Sequence, residues 1–357
     1  MNTPDKNDLE RLDIHIPPID EAARQAVEVR HGQLTKPPGS LGQLERLAVE
    51  LAGIQGRDRP SVQRKAVIVA AADHGVATEG TSAYPQEVTT QMVLNFLHGG
   101  AAINVLARQA DARVVVADMG VASDLDAHPS LYRRKVAYGT QNMRYGPAMT
   151  EAQARQALRA GLEIIETEAR QGLDVLAVGE MGIGNTTASA AIVAALTGLA
   201  PEAVTGRGTG VDDQGLQRKI EVIAEALAVN QPDPQQPLEV LTKVGGLEIA
   251  GLVGIILGAA ASRVAILIDG FIASTAALLA VAFNPAVKPY LLATHQSVEI
   301  GHRVILNELG LKPLFDLGLR LGEGSGAALA FHLLEAAVRI LNEMATFAEA
   351  GVSGKKT

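Results

Sequence analysis

From Lys65 onward the chain alternates short apolar runs with helical segments, and each run gives way to polar or glycine-rich residues. The runs lie at residues 66–71, 113–117, 174–178, 264–268 and 289–293. Alternation of this kind marks parallel β-α-β units, and so an α/β fold. The residues after each run carry the functional signal: Asp73-His74-Gly75, Asp118-Met119-Gly120, Gly179-Glu180-Met181-Gly182, Asp269-Gly270 and Thr294-His295-Gln296-Ser297. In an open parallel sheet the ligand crevice lies beyond the carboxyl ends of the strands, so the five exits are expected to converge on one cleft. A single Asp or Gly there is explained by a helix cap or a tight turn. Five polar exits together are harder to explain that way.

The flanks of this region are helical. A helix is expected over residues 20–31, opened by Asp20 as N-cap, and a second over 40–54, where Ser40-Leu-Gly-Gln43 has the capping-box spacing. Leu41, Leu44, Leu47, Ala48 and Leu51 share one face of the second helix, and Thr35-Lys36-Pro37-Pro38-Gly39 forms a rigid turn before it. After Gly326 an amphipathic helix runs to about Ala350, with Leu329, Leu333, Ala337, Ile340, Met344 and Phe347 on its stripe. It is too long and apolar to stand free. The expected division is therefore a large α/β catalytic domain, residues 60–322, and a small helical domain of residues 1–59 plus 323–357.

Composition narrows the function. Hydrophobic residues make up 47% and aromatics only 3%, with no Trp, so the core is Ala, Leu, Ile and Val, and stacking on bases is disfavoured. A net charge of -8 opposes binding to a polyanion, so no nucleic-acid partner is expected. Without a single Cys there are no disulfides, thiolate nucleophiles or Cys-ligated metals. Residues 1–12 lack a basic segment leading into an apolar stretch, so no secretory signal is expected. The longest apolar stretches, residues 249–261 and 270–283, fall short of the ~20 residues that span a bilayer. A cytoplasmic location away from membranes is the expectation.

Two acids stand out against this apolar background. Glu323 lies between glycines in Leu-Gly-Glu-Gly-Ser-Gly-Ala, and Glu180 follows an apolar run in Gly-Glu-Met-Gly-Ile-Gly-Asn-Thr-Thr. As a helix cap, Glu323 would have its pKa lowered by the helix dipole; apolar surroundings would raise it towards the range of a general base. The residues from Gly179 through Gly182 and Gly184 to Asn185 and Thr186 have phosphate-loop spacing, with Asn where a Lys binds nucleoside triphosphates, which favours a single phosphate over a triphosphate; the plain alternative is a structural tight turn. A second glycine-rich stretch, Gly206 to Gly210, precedes Lys219, which by its spacing belongs to a solvated helix face or else supplies the charge the first loop lacks. His74, His295 and His302 form no HExxH pattern or dense cluster, so no metal is expected.

In order along the chain, Lys36-Pro-Pro-Gly-Ser-Leu-Gly, Ala72-Asp-His-Gly-Val, Tyr84-Pro-Gln-Glu-Val-Thr, Asp118-Met-Gly-Val, Gly146-Pro-Ala-Met-Thr, Gly179-Glu-Met-Gly-Ile-Gly-Asn-Thr-Thr, Asp269-Gly-Phe and Gly322-Glu-Gly-Ser-Gly-Ala make up a set. With these motifs the chain resembles the nicotinate-nucleotide:dimethylbenzimidazole phosphoribosyltransferases of cobalamin nucleotide-loop assembly. The resemblance implies a Rossmann-like parallel α/β domain with a small helical domain from both termini, a homodimer, and no organic cofactor or metal. It implies transfer of phosphoribose from β-nicotinate mononucleotide to 5,6-dimethylbenzimidazole, giving α-ribazole 5'-phosphate and nicotinate. Glu323 would be the base and Glu180 a supporting acid; Gly182, Gly184, Asn185, Thr186, Lys219 and Ser297 would hold the phosphate. Tyr84, Met92, Met181 and Leu321 would line the base pocket, the first two standing where the family pattern has Ser and Gln. The alternatives are a sister transferase using adenine, another benzimidazole or a phenol, and a nucleotide-binding regulatory protein without chemistry, which retention of the acid at 323 opposes.

Overall fold

The computed structural model describes residues 14–353. Residues 1–12, where no secretory signal is expected, lie outside them. Six parallel strands form one sheet: β1 Lys65–Ala72, β2 Arg113–Gly120, β3 Leu131–Arg133, β4 Val175–Met181, β5 Ala265–Ile268 and β6 Leu291–Ala293, in the order β3-β2-β1-β4-β5-β6. This is a doubly wound, Rossmann-like order, and it reverses direction between β1 and β4. The five expected strands are all present. β3 is an addition at the edge, three residues long and too short to show a period.

Helix Leu247–Ala261 is buried over nearly its whole length and lies on β1, β2, β4 and β5. It meets helix Glu151–Arg170 at backbone distance, because a Cβ on Gly161 or Gly254 would overlap a carbonyl of the other helix. The long apolar run is thus the central core helix rather than a membrane element. No described helix is long and apolar enough to cross a membrane.

Helices Glu21–Gln33 and Gln43–Gln55 pack on each other, and Ser325–Glu343 packs on Gln43–Gln55. Asp20 caps the first helix, its Oδ1 accepting from the Ala23 N–H at 2.9 Å. The expected capping box at Ser40 does not form. The chain turns through Gly39 and Gly42, both left-handed, so the helix begins only at Gln43, and Glu45 accepts from the Leu41 N–H at 3.0 Å instead. The last helix also differs from expectation: it stops at Glu343, a separate short helix occupies Phe347–Ala350, and the buried stripe is Ala330, Phe331, Leu334, Ala337, Val338 and Leu341. The helix packs on both the terminal pair and the sheet, which turns its stripe by about one residue from the one chosen by apolarity alone.

Candidate functional site

The switch point between β1 and β4 places Glu180 opposite Ala70 in the ladder, with the Gly182–Gly184 turn directly beyond it. A cavity opens there, lined by Glu180, Met181, Gly182, Asn185 and Thr186 from β4 and its turn, with Gly270–Ile272, His295, Ser297 and the Arg320–Gly322 strip. Three of the five strand exits therefore share the cleft, those of β4, β5 and β6. The exits of β1 and β2 do not line it. Asp73 instead accepts from the Ala122 N–H at 2.7 Å, and Asp118 accepts from the Val121 N–H at 2.9 Å and pairs with Lys135, so these acids tie loops together.

Glu180 is 6% exposed. Its Oε2 accepts a short hydrogen bond from the Asn185 amide, and its Oε1 lies against Gly322, whose φ of +83° only glycine adopts readily. Burial raises its pKa to about 8, helped by the negative charges of Glu248, Asp269 and Glu323 against the opposing Asn185 bond. At neutral pH Glu180 is an un-ionised acid.

Glu323 sits in a run of three left-handed residues, φ +83°, +63° and +86° at Gly322, Glu323 and Gly324. A non-glycine residue in this region carries strain, which recurs at functional sites. Glu323 does not cap the following helix. Asp269 does so from outside, accepting from the Gly324 and Ala327 N–H groups at 3.1 and 3.0 Å. The Glu323 carboxyl instead meets the Ile103 N–H, and its Oε2 is buried without a partner. Of the two opposing effects weighed from sequence, burial wins: it raises the pKa to about 7, against the Ile103 hydrogen bond and with help from Asp269. Glu323 does not line the cavity; Gly322 stands between them.

Behind the opposite side, outside the cavity lining, lies a buried cation. Lys219 is fully buried rather than solvated, its Nζ 2.7 Å from Thr186 Oγ1 and 3.2 Å from the Gly206 carbonyl. Burial lowers its pKa to about 8 although Glu299 pulls it up. Glu299 accepts from the Gly208 N–H at 2.9 Å, so the second glycine stretch folds round this lysine. In the first loop, the N–H groups of Ile183, Asn185 and Thr187 already bond to Thr89 Oγ1, Gly182 O and Gly184 O. The anion-binding capacity thus shifts from that loop's backbone towards Lys219, Thr186 and the helix N-terminus. Ser297 lines the cavity, and its N–H donates to His302 Nδ1 at 2.9 Å. Burial takes the pKa of His302 down to about 3, so its proton is on Nε2, facing Ser274 Oγ at 3.1 Å.

The remaining expected residues are scattered. Met181 and Leu321 line the cavity; Gly184 lies behind it, φ +99°, against His74. Tyr84 is 56% exposed beside Ser82 and Thr209, and Met92 packs against the core one turn below Thr89. Neither lines the cavity. Glu248, Glu299, Thr209 and Arg320 carry no motif in the sequence that marks them for the site. A lone acid at the start of the otherwise uncharged run 247–261 was the available signal for Glu248.

Desolvated acids and a buried lysine about one strand-end cleft suit the transfer of a group that carries an anion, and a family model described as a phosphoribosyltransferase matches residues 16–352. The chain is 59% identical to the nicotinate-nucleotide–dimethylbenzimidazole phosphoribosyltransferase of Roseiflexus sp. strain RS-1, covering 95% of this chain and 96% of the relative. It is 54% identical to the protein of the same name from Geobacter sulfurreducens, over 94% and 96%. The crystal structure of CobT from Thermus thermophilus superposes with a TM-score of 0.90 at 53% identity, covering 94% of this chain and all of that one. The chain belongs to the nicotinate-nucleotide–dimethylbenzimidazole phosphoribosyltransferase family. It is a pentosyltransferase.

Proposed function

We propose that the protein transfers the phosphoribosyl group of β-nicotinate mononucleotide to 5,6-dimethylbenzimidazole with inversion, giving α-ribazole 5'-phosphate and nicotinate for cobalamin synthesis. The observation that carries this reading is Glu323: a buried carboxyl with an unpartnered oxygen and a pKa raised to about 7, held by a strained turn beside the cleft. Such a group is matched to taking a proton near neutral pH.

The scheme balances with one base. One azole nitrogen attacks C1' as the bond from C1' to the nicotinate nitrogen breaks; the azole N–H proton passes to Glu323. The leaving nitrogen is already cationic in the nucleotide, so the bonding electrons neutralise it and no acid protonates it. Lys219, Thr186 and Ser297, with Gly182, Gly184 and Asn185 shaping the loop, hold the 5'-phosphate. Un-ionised Glu180 donates a hydrogen bond to the sugar or the leaving nicotinate. Met181 and Leu321 give the flat azole apolar contact, with Tyr84 and Met92 at its margin. Holding both partners in attack geometry supplies up to ~7–11 kcal/mol in favourable systems.

This reading includes residues 60–322 as the catalytic unit, a small helical unit from 1–59 plus 323–357, a homodimer, and a cytoplasmic location. The deciding assay incubates the protein with nicotinate mononucleotide and, in parallel, dimethylbenzimidazole, adenine, unsubstituted benzimidazole or a phenol, and follows nicotinate release and product by mass. Highest kcat/KM with dimethylbenzimidazole is expected. A higher value for another acceptor reassigns the base, and binding of nucleotide without turnover on any acceptor overturns the enzyme reading.

A further inference from the structure

Behind the Gly182–Gly184 turn lies a buried acid–histidine pair that the scheme above does not use. Glu248, in the first turn of helix Leu247–Ala261, is 0% exposed, and His74, two residues beyond β1, is 1% exposed. His74 Nε2 lies 2.7 Å from Glu248 Oε1, while His74 Nδ1 and Glu248 Oε2 have no partner. Gly246 makes room for the pair: a Cβ there would overlap the His74 ring and come within 2.8 Å of Glu248 Oε2, whereas one on Gly182 would run into the Ala72 carbonyl oxygen. A Cβ on Gly184 would approach that of His74 at 3.1 Å, so the histidine packs against the turn from beneath.

A carboxyl taken this deep costs several kcal/mol unless paired, and an apolar side chain of similar size would fill the space at no such cost. After burial, Glu248 is the strongest influence raising the pKa of Glu180. The other groups about Glu180 are Asp269 at the β5 exit and Glu323 before the last helix, which act in the same sense, and the Asn185 amide, which opposes them. His74 reaches the pair from the β1 exit, the neighbouring strand at the switch point.

We propose that His74 and Glu248 are a positioning pair for phosphoribosyl transfer: Glu248 holds the His74 ring through their 2.7 Å contact, His74 seats the Gly182–Gly184 turn from beneath, and through that turn the pair sets the surroundings of Glu180. The proposal rests on the reading of the cleft given above. Its chemical sense is that the nucleotide brings a phosphate and a carboxylate into the cleft, which an ionised Glu180 would repel and an un-ionised one can bond. Neither His74 nor Glu248 touches the cavity, so both act through other residues.

The test uses the full-length protein. Carbon-13 glutamate labelling with infrared difference spectra follows ionisation of Glu180, its band assigned by its loss in Glu180→Gln; kcat and nucleotide KM are measured over the same pH range. In Glu248→Gln the Glu180 midpoint and the alkaline limb of kcat are expected to move down together by about one pH unit or more. In His74→Asn the nucleotide KM is expected to rise about tenfold while the Glu180 midpoint moves less than in Glu248→Gln. An unmoved Glu180 midpoint in Glu248→Gln, or an unchanged KM in His74→Asn, overturns the proposal. Should Glu248→Gln not fold, Glu248→Asp withdraws the charge by one methylene and is expected to give a smaller downward shift, and no shift there overturns it equally. Absence of wild-type turnover would sink the reaction reading alone, because the infrared midpoint is read without substrate.

Discussion

The two sides of the cleft are both dry, and they hold charge in opposite ways. On the acid side, Glu180 and Glu323 have pKa values raised to about 8 and about 7. On the cationic side, the pKa of Lys219 is lowered to about 8. Burial is the first cause for all three, and it draws acid and base towards the same neutral range from opposite directions. The acid side is crowded with like charges that reinforce the shift, whereas on the cationic side Glu299 opposes it. A group on either side can therefore exchange a proton or gain a counter-charge near pH 7, where an ordinary surface carboxylate or lysine is fixed.

The sharpest way to break the comparison is at Glu323. Glu323→Gln keeps the shape and removes the base; kcat is expected to fall by about 10²–10⁴, with nucleotide affinity by calorimetry nearly unchanged. Turnover near the wild-type level would remove Glu323 from that role. On the cationic side, Lys219→Met retains apolar length and loses the charge. Loss of a charged hydrogen bond of about 1.5–3 kcal/mol is expected to raise the nucleotide KM roughly 10- to 150-fold, with a smaller change in kcat. A fall in kcat at constant KM would move Lys219 from binding to chemistry.

A third expected effect concerns stability. Glu180 has a folded pKa of about 8, above its ordinary 4.5, so its contribution is fully present below pH 4.5 and is lost as pH rises through about 8. Lys219 has a folded value of about 8, below its ordinary 10.5, so its contribution is present above pH 10.5 and is lost as pH falls through about 8. Glu180→Gln removes the first dependence only. Its Tm relative to wild type is expected to rise steadily from pH 4.5 to 8.5 in a calorimetric series, and a constant offset would mean that Glu180 is ionised in the folded protein.

Much of the frame was legible because it rests on local chemistry. Asp20 caps its helix, and the apolar runs became strands, since both depend on near neighbours. What failed depended on contacts distant in sequence. The burial of Lys219 was legible in principle: with Val222, Ile223, Ala226 and Asn230 it falls on the helical period of the buried stripe of helix Asp213–Asn230, and its charge obscured that. The convergence of five exits reduced to three because Asp73 and Asp118 bond to loops that the strand pattern does not describe. The Ser40 capping box gave way to left-handed Gly42, inside the motif itself. Both acids could be named from sequence, but only the folded chain separates Glu180 at the cavity wall from Glu323 behind Gly322.

Gly179 precedes Glu180 on β4, and a Cβ there would run into the backbone carbonyl of Glu323. One strand thus carries the first acid and serves as the bearing surface for the second. A shift of β4 by a fraction of an ångström would move both together, so their separation behaves as a fixed gauge set by backbone contact. Redesigning the protein for a larger acceptor is therefore better done at the outer lip, where Leu321 lines the cavity and is exposed, than along β4.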